Sequence, residues 1–262
     1  MTVPINPFCH RFVSYEMRKN LGISRKMRQD QDMEVRRRIP PGHRSITGAL
    51  PSRFPSGHLP FESKLEMDFL TLLQIDNGIH DVVTQPTTLA LTVDGEARTY
   101  TPDVLVSWHS AMPRPFPQLQ VMFEVKPLAV LRDKRASLWP KYRAAKRHLA
   151  RQGIGFRVVT ERTIRTPRLG NAELLAPVML QPQDRETMNR VRALVRHEGP
   201  KRLGDIRRRM EAEGAIRGAI MEAAYDLIGL GRLLCDLDIP ITDETVVRWW
   251  VDVAVEEILE GT

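Results

Sequence analysis

Cysteine is almost missing from this chain. Cys9 and Cys235 stand near opposite ends of 262 residues, with no Cys-x-x-Cys step and no histidine at ligand spacing. That excludes a zinc ribbon and a disulfide framework, and it fits a reducing compartment. Aromatic residues are scarce at 6%, while prolines number 19, which argues for a mixed fold with irregular connections. No run approaches the roughly 18 apolar residues of a membrane span. The opening Met1-Thr2-Val3-Pro4-Ile5-Asn6-Pro7 lacks the apolar centre of a secretory signal. The expectation is a cytoplasmic protein with no membrane partner.

What is present is positive charge and enough apolar residue to build a core. The net charge is +7 and 42% of residues are hydrophobic; the isoelectric point is about 9.7. One good core or two can be buried at this length. The excess of lysine and arginine favours a polyanionic partner.

Along the chain three segments are expected. Residues 1–50 read as a basic arm, dense in breakers, with Arg36-Arg37-Arg38-Ile39-Pro40-Pro41-Gly42-His43-Arg44 as its most charged run. Such an arm is either a solvated extension or a strap laid on phosphates. Residues 51–175 read as an α/β core with a mixed sheet. A helix is predicted from near Pro60, its apolar stripe formed by Phe61, Leu65, Phe69, Leu72 and Leu73, ending at Asn77-Gly78. Alternation through Val82, Val83, Leu89, Leu91 and Val93 leads to Asp94-Gly95, a hairpin turn into the Tyr100 strand. A basic helix from Ser137 to Gln152 follows, with Pro140 tolerable only in its first turn. Phe156–Thr160 closes the core as a strand. Residues 176–262 show three short helical patterns, a strand-like stretch from Gly231 to Asp238, and a last helix from Thr242 or Asp243 through Val246, Trp249, Trp250 and Val253. Three helices and a β-ribbon predict a winged helix.

The chemistry resides in two strands. Tyr100-Thr101-Pro102-Asp103-Val104-Leu105-Val106 and Val121-Met122-Phe123-Glu124-Val125-Lys126 are apolar strands carrying charge where a core strand should carry none. Period-2 alternation sends Phe123 and Val125 to one face, and Glu124 and Lys126 to the other. If the strands pair, Asp103 joins Glu124 and Lys126. Two carboxylates supply hard oxygens for a magnesium ion that keeps several waters, and the Val125 carbonyl can add a further ligand. Lys126 would orient the attacking water, its pKa lowered by burial beside the metal.

A Glu-x-Lys pair alone means little, and Glu62-Ser63-Lys64 is a decoy of the same form. The bland alternative is a solvated cross-strand ion pair. Context favours the nuclease plan: Pro102-Asp103 precedes, Glu62 lies upstream, projecting from the predicted helix, and the basic helix follows. Glu66 and Asp68 are read as spare acids at the surface.

The run Leu59-Pro60-Phe61-Glu62-Ser63-Lys64-Leu65-Glu66-Met67-Asp68-Phe69-Leu70, with Gln85-Pro86, Tyr100-Thr101-Pro102-Asp103, Glu124-Val125-Lys126 and Phe156–Glu161, resembles the TnsA-type endonuclease subunit of heteromeric (Tn-seven-like) transposases. The resemblance covers about residues 50–175. It implies a restriction-endonuclease-like fold with the winged helix appended. It also implies a catalytic set of Glu62, Asp103, Glu124 and Lys126. Magnesium, with manganese as substitute, would be held by Asp103, Glu124, the Val125 carbonyl and Glu62. Members can carry glutamine where Glu124 stands. Gln85 matches as a residue behind the site or on DNA, and Lys141, Arg143, Lys146 and Arg147 are placed to neutralise phosphates.

The implied partners are the double-stranded ends of a transposon, an RNase H-like transposase and an ATPase regulator. The implied activity is cutting at the 5′ ends of a mobile element. Competing readings are a stand-alone restriction-like or repair nuclease, a catalytically silent DNA-binding assembly adaptor, and a winged-helix regulator of transcription. The winged helix itself is open between DNA contact and protein docking, because Arg217 alone in the first turns of its third helix could read a base.

Overall fold

The computed structural model describes residues 46–112 and 114–250. The predicted arm therefore lies almost wholly outside the described residues, as does the continuation of the chain beyond Trp250. The described chain divides into two compact units between Arg165 and Thr166.

The first unit is built on a four-stranded sheet of β3 (Ile79–Thr84), β6 (Val104–Trp108), β7 (Gln120–Val125) and β8 (Gly155–Val159), side by side in that order. β3, β6 and β7 pair antiparallel, and β7 pairs parallel with β8. A parallel pair needs a crossover, which here is α2 (Leu128–Asp133) and α3 (Arg135–Ala150). The mixed sheet is therefore as the sequence predicts. β7 is buried at every position after Gln120, as a strand covered on both faces must be.

One face of the sheet meets α1 (Lys64–Gln74), where Phe69 packs on Phe123 with ring centroids 5.2 Å apart. Both rings are fully buried, which stabilises by about 1.5–3 kcal/mol each. On the other face Leu105 and Met122 pack with Tyr142, Ala145 and Leu149 of α3. A separate hairpin, β4 (Leu89–Val93) and β5 (Glu96–Tyr100), closes that side through Leu89, Leu91, Val93 and Tyr100. Its two-residue turn is Asp94-Gly95, both with φ near 50–85° (50° and 85°), as a primed hairpin turn demands.

Several boundaries differ from the sequence reading. No helix starts at Pro60: Leu59–Phe61 is β2, paired with β1 (Gly48–Leu50). The helix begins at Lys64 because the Ser63 hydroxyl accepts the Glu66 N–H and caps it. It ends at Gln74, before Asn77-Gly78, with the Arg53 guanidinium donating to the Gln74 and Asp76 carbonyls. α3 starts at Arg135, so Pro140 lies inside it rather than in its first turn. Asp68 is not at the surface. It is buried, with Lys64 Nζ at 2.9 Å and Arg165 Nε at 3.0 Å; Arg165 follows α4 (Glu161–Ile164).

The second unit runs α5 (Pro167–Met179), α6 (Arg185–Glu198), β9 (Lys201–Arg202), α7 (Leu203–Ala212), α8 (Arg217–Gly229), β10 (Leu233–Leu234) and β11 (Val246–Trp249). The three short strands form an antiparallel sheet in the order β10, β11, β9. Its buried helical positions include Val191, Val195, Ile206, Met210, Ile220 and Leu227. The strand-like stretch from Gly231 shortens to two residues. Val246–Trp249 is a strand and not the start of a helix, since its β-branched and aromatic side chains pair across both neighbours. α5 is an element the sequence reading did not foresee; its Asn171 amide donates to the Leu237 and Ile239 carbonyls and accepts the Ile241 N–H. No described helix is long and apolar enough to cross a membrane.

Asp68 supplies a test of the first unit. Removing both of its cations, in Lys64→Ala/Arg165→Ala, leaves a buried carboxylate uncompensated. We expect a loss of about 1–3 kcal/mol in urea denaturation, because the cations are themselves half exposed. Adding Asp68→Asn to that variant should recover part of the loss. A double variant as stable as wild type contradicts this account.

Candidate active site

The pairing of β6 with β7 carries the site. Val104 lies opposite Phe123 and Leu105 opposite Met122, so continuing the antiparallel register places Asp103 opposite Glu124 on the α3 face. The Asp103 N–H donates to the Phe123 carbonyl at 3.1 Å, and the Val125 N–H returns a 2.7 Å bond to Asp103 Oδ2. Since N–H and C=O of one strand residue share a strand edge, the Val125 carbonyl faces the Asp103 side. Lys126 Nζ stands 3.3 Å from Glu124 Oε1. Asp103, Glu124 and Lys126 are thus brought together as the alternation predicts.

Glu124 is only 2% exposed, and its burial has a specific remedy. The Tyr100 hydroxyl donates to Oε2 at 2.5 Å, and the Tyr142 hydroxyl donates to Oε1 at 2.8 Å. Burial and the nearby carboxylate push both phenols well above their usual range, so they stay protonated donors. Neither tyrosine was singled out as functional by the sequence reading. The available signal was Tyr100 three residues before Asp103 and Tyr142 on the helix face predicted to be buried.

Burial, followed by the Glu124 charge, pushes Asp103 up to about 7 against the bond from Val125. For Lys126 burial acts downward, but Glu124, Asp103 and Glu66 outweigh it and hold the ammonium above its ordinary value. Lys126 is a firm cation among three carboxylates.

Glu66 adds a third carboxylate to the cluster. Glu62 sits in the turn between β2 and α1 rather than on the helix, and accepts from Gln85 Nε2 at 2.9 Å. Gln85, at φ 46°, is itself fixed by its N–H to the Asp103 carbonyl. Its place is behind the site, holding Glu62. Glu66 completes a capping box: its carboxylate accepts the Glu62 N–H at 2.8 Å and the Ser63 hydroxyl at 3.0 Å. Burial raises its pKa, and its field reaches both Asp103 and Lys126. The Ser63-x-x-Glu66 spacing is a capping signature, whereas the sequence reading took Glu66 as a spare surface acid.

A hard divalent cation suits this donor set. Asp103 Oδ1 accepts no hydrogen bond from a described residue, and each Glu124 oxygen has one lone pair beyond its tyrosine bond, although Lys126 draws on that of Oε1. Among the described residues no three acidic, histidine or cysteine side chains form a closed metal cage. Two carboxylates with the remaining positions left to water is the habit of magnesium.

On α3 the four predicted phosphate ligands divide. Lys141 turns inward, its Nζ 4.5 Å from the Tyr100 ring centroid and 5.0 Å from that of Tyr142, and burial lowers its pKa. Arg143, Lys146 and Arg147 are exposed.

The coupled carboxylates set a pH signature. With Asp103 at about 7 when folded and near 4 when unfolded, the folded state binds more protons between those values, so stability falls as pH rises through that window. In the presence of EDTA the melting temperature should drop from pH 5 to pH 8, and Asp103→Asn should flatten the slope. A wild-type profile that rises over this range, or is untouched by the substitution, counts against the assigned environment.

No curated protein matches the chain. Residues 76–161 match the family described as TnsA-like endonuclease N terminal. The matched span holds Gln85, Tyr100, Asp103, Glu124, Lys126 and the whole of α3. The similarity to that family is confined to this span, which lies within the first unit.

Proposed function

We propose that this protein is a metal-dependent DNA endonuclease subunit of a heteromeric transposase, hydrolysing a phosphodiester at the 5′ ends of a mobile element. The observation that carries it is Asp103 facing Glu124 across paired strands, with Lys126 3.3 Å from Glu124. The family match supports a nuclease role in transposition.

In this reading Asp103 and Glu124 hold magnesium, or manganese in its place, with the Val125 carbonyl as a further donor. The ion would polarise the phosphate and lower the pKa of a bound water. Lys126, kept cationic, donates to that water or to the developing charge on the phosphate. Glu66 takes the helix-acid role expected of Glu62, because its field reaches Asp103; Glu62, held by Gln85, anchors the capping box through its N–H. Tyr100 and Tyr142 hold the Glu124 carboxylate in one orientation. Arg143, Lys146 and Arg147 neutralise phosphates of the double-stranded end.

The second unit we read as a winged helix. The order α6, β9, α7, α8, β10, β11 and the sheet order β10, β11, β9 support this. Protein docking, to the RNase H-like transposase or an ATPase regulator, is favoured over base reading. Arg190, Arg207, Arg208 and Arg209 are each paired with an acid inside the unit, so little of their charge is free for phosphates.

The test is strand-specific cleavage on an element end, with the partner proteins present. Asp103→Ala and Lys126→Ala should each reduce 5′ nicking by at least about a hundredfold. EDTA should abolish it, and magnesium or manganese should restore it. Full nicking by both variants sinks the mechanism. Strong cleavage by the wild-type protein alone would favour the stand-alone nuclease.

A further inference from the structure

The exposed side of α3 carries a feature that the hydrolytic cluster does not use. Trp139 is 49% exposed, although large aromatics are normally driven inside. It stands between two hollows that share Arg132 and Arg135. One, of about 240 Å³, is walled by Leu138, Trp139, Tyr142 and Val158. The other, of about 530 Å³, is open and runs from Arg132 along Arg135 and Trp139 to Pro140. The Arg143 guanidinium lies 6.0 Å from the Trp139 ring centroid.

Charge sorts the possible occupants. Arg132, Arg135 and Arg143 make no ion pair with any described residue, and Asp133 is the one acid lining either hollow. Three guanidiniums without an ion pair, around a flat aromatic, call for a ligand with both an anionic part and a flat apolar part. A nucleotide has both. Stacking a base on tryptophan is worth about 1–3 kcal/mol, and guanidiniums suit its phosphates. Position narrows the choice further. Tyr142 forms a wall of the smaller hollow, and its hydroxyl is 2.8 Å from Glu124. A base seated there is one tyrosine ring from the carboxylates.

We propose that Trp139, flanked by Arg132 and Arg135, is a stacking site for an unpaired nucleobase of the DNA next to the phosphate being cut. The inference rests on the DNA-endonuclease reading above. It adds that the substrate is engaged with a base out of the stack, in a strand that is frayed or flipped beside the cut.

The test compares binding of the full chain, in EDTA, to a labelled short oligothymidylate and to an abasic deoxyribose-phosphate oligomer of equal length. Wild type should prefer the base-bearing oligomer by at least about fivefold. Trp139→Ala should lose that preference while binding the abasic oligomer as before, and Trp139→Phe should keep part of it. Arg132→Ala/Arg135→Ala should weaken both and reduce the salt dependence. Because Trp139 is half exposed, its replacement leaves the core intact, which circular dichroism checks. The proposal is overturned if wild type shows no preference or no binding, or if Trp139→Ala binds both oligomers unchanged. It is overturned equally if that variant loses affinity only for a labelled polyglutamate peptide, the mark of an acidic protein partner. Cleavage by wild type but not Asp103→Ala, with an unaltered Trp139→Ala, removes this inference and leaves the nuclease reading standing. Base preference without any cleavage does the reverse.

Discussion

Everything at the candidate site depends on one constraint, the antiparallel register of β6 on β7. It sets Asp103 against Glu124, and the side-chain period of two then gives Lys126 the same face. A slip of one residue would carry Glu124 to the α1 face, against Phe69, and bring Phe123 out beside α3. The register is held by burial on both faces and by the Val125 N–H bonded to the Asp103 carboxylate. The same bond therefore pins the strand end and orients the Asp103 carboxylate. Fold and chemistry cannot be separated at this point of the chain.

Placing acids in a buried strand is unfavourable, and the surroundings show how the penalty is met. Glu124 is answered by two phenol hydroxyls and an ammonium. Asp103 is answered less completely: a single backbone bond leaves it pushed up to about 7 by burial and by Glu124. Tyrosine hydroxyls stabilise a carboxylate without cancelling its charge. Lys126 supplies one positive charge against Glu124, Asp103 and Glu66. The cluster keeps an unbalanced negative field, the condition under which a divalent cation binds rather than a further salt bridge forming.

The sequence reading found β6, β7 and β8, the hairpin at Asp94-Gly95 and the burial of α3 through Tyr142, Ala145 and Leu149, because each has a strong local signature. It misplaced Glu62 and undervalued Glu66 because an acid just before a helix and one in its first turn look alike in a string. Only the capping geometry separates them: Ser63 starts the helix, which puts Glu62 before the cap and Glu66 inside it. Asp68 looked like a surface acid because its two cations include Arg165, nearly a hundred positions away (97). β11 reads as helix from Val246, Trp249, Trp250 and Val253, whose spacing fits that period, and the pairing with β9 and β10 that decides the matter is not local. Tyr100 and Tyr142 read as core, which they are. Their second role depends on where their hydroxyls end, and no periodicity reports that.

The arginines beside the site are met differently from a group in the second unit, and this says more about function than the net charge does. In the second unit Arg207 bonds both Glu211 and Asp243, Arg209 bonds Glu198 and Glu213, and Arg208 bonds Asp205. Those side chains are structural and their charge is already met. On α2 and α3, Arg132, Arg135 and Arg143 make no ion pair with a described residue, and Lys141 spends its ammonium on two tyrosine rings. Folding leaves that charge unanswered on the one helix that also touches Glu124. A surface whose cations could have been paired, as they are elsewhere in the same chain, and are not, is one whose counter-charge comes from outside. The excess of positive charge read from composition is therefore most usable along α3, where a phosphate backbone would pass the carboxylates.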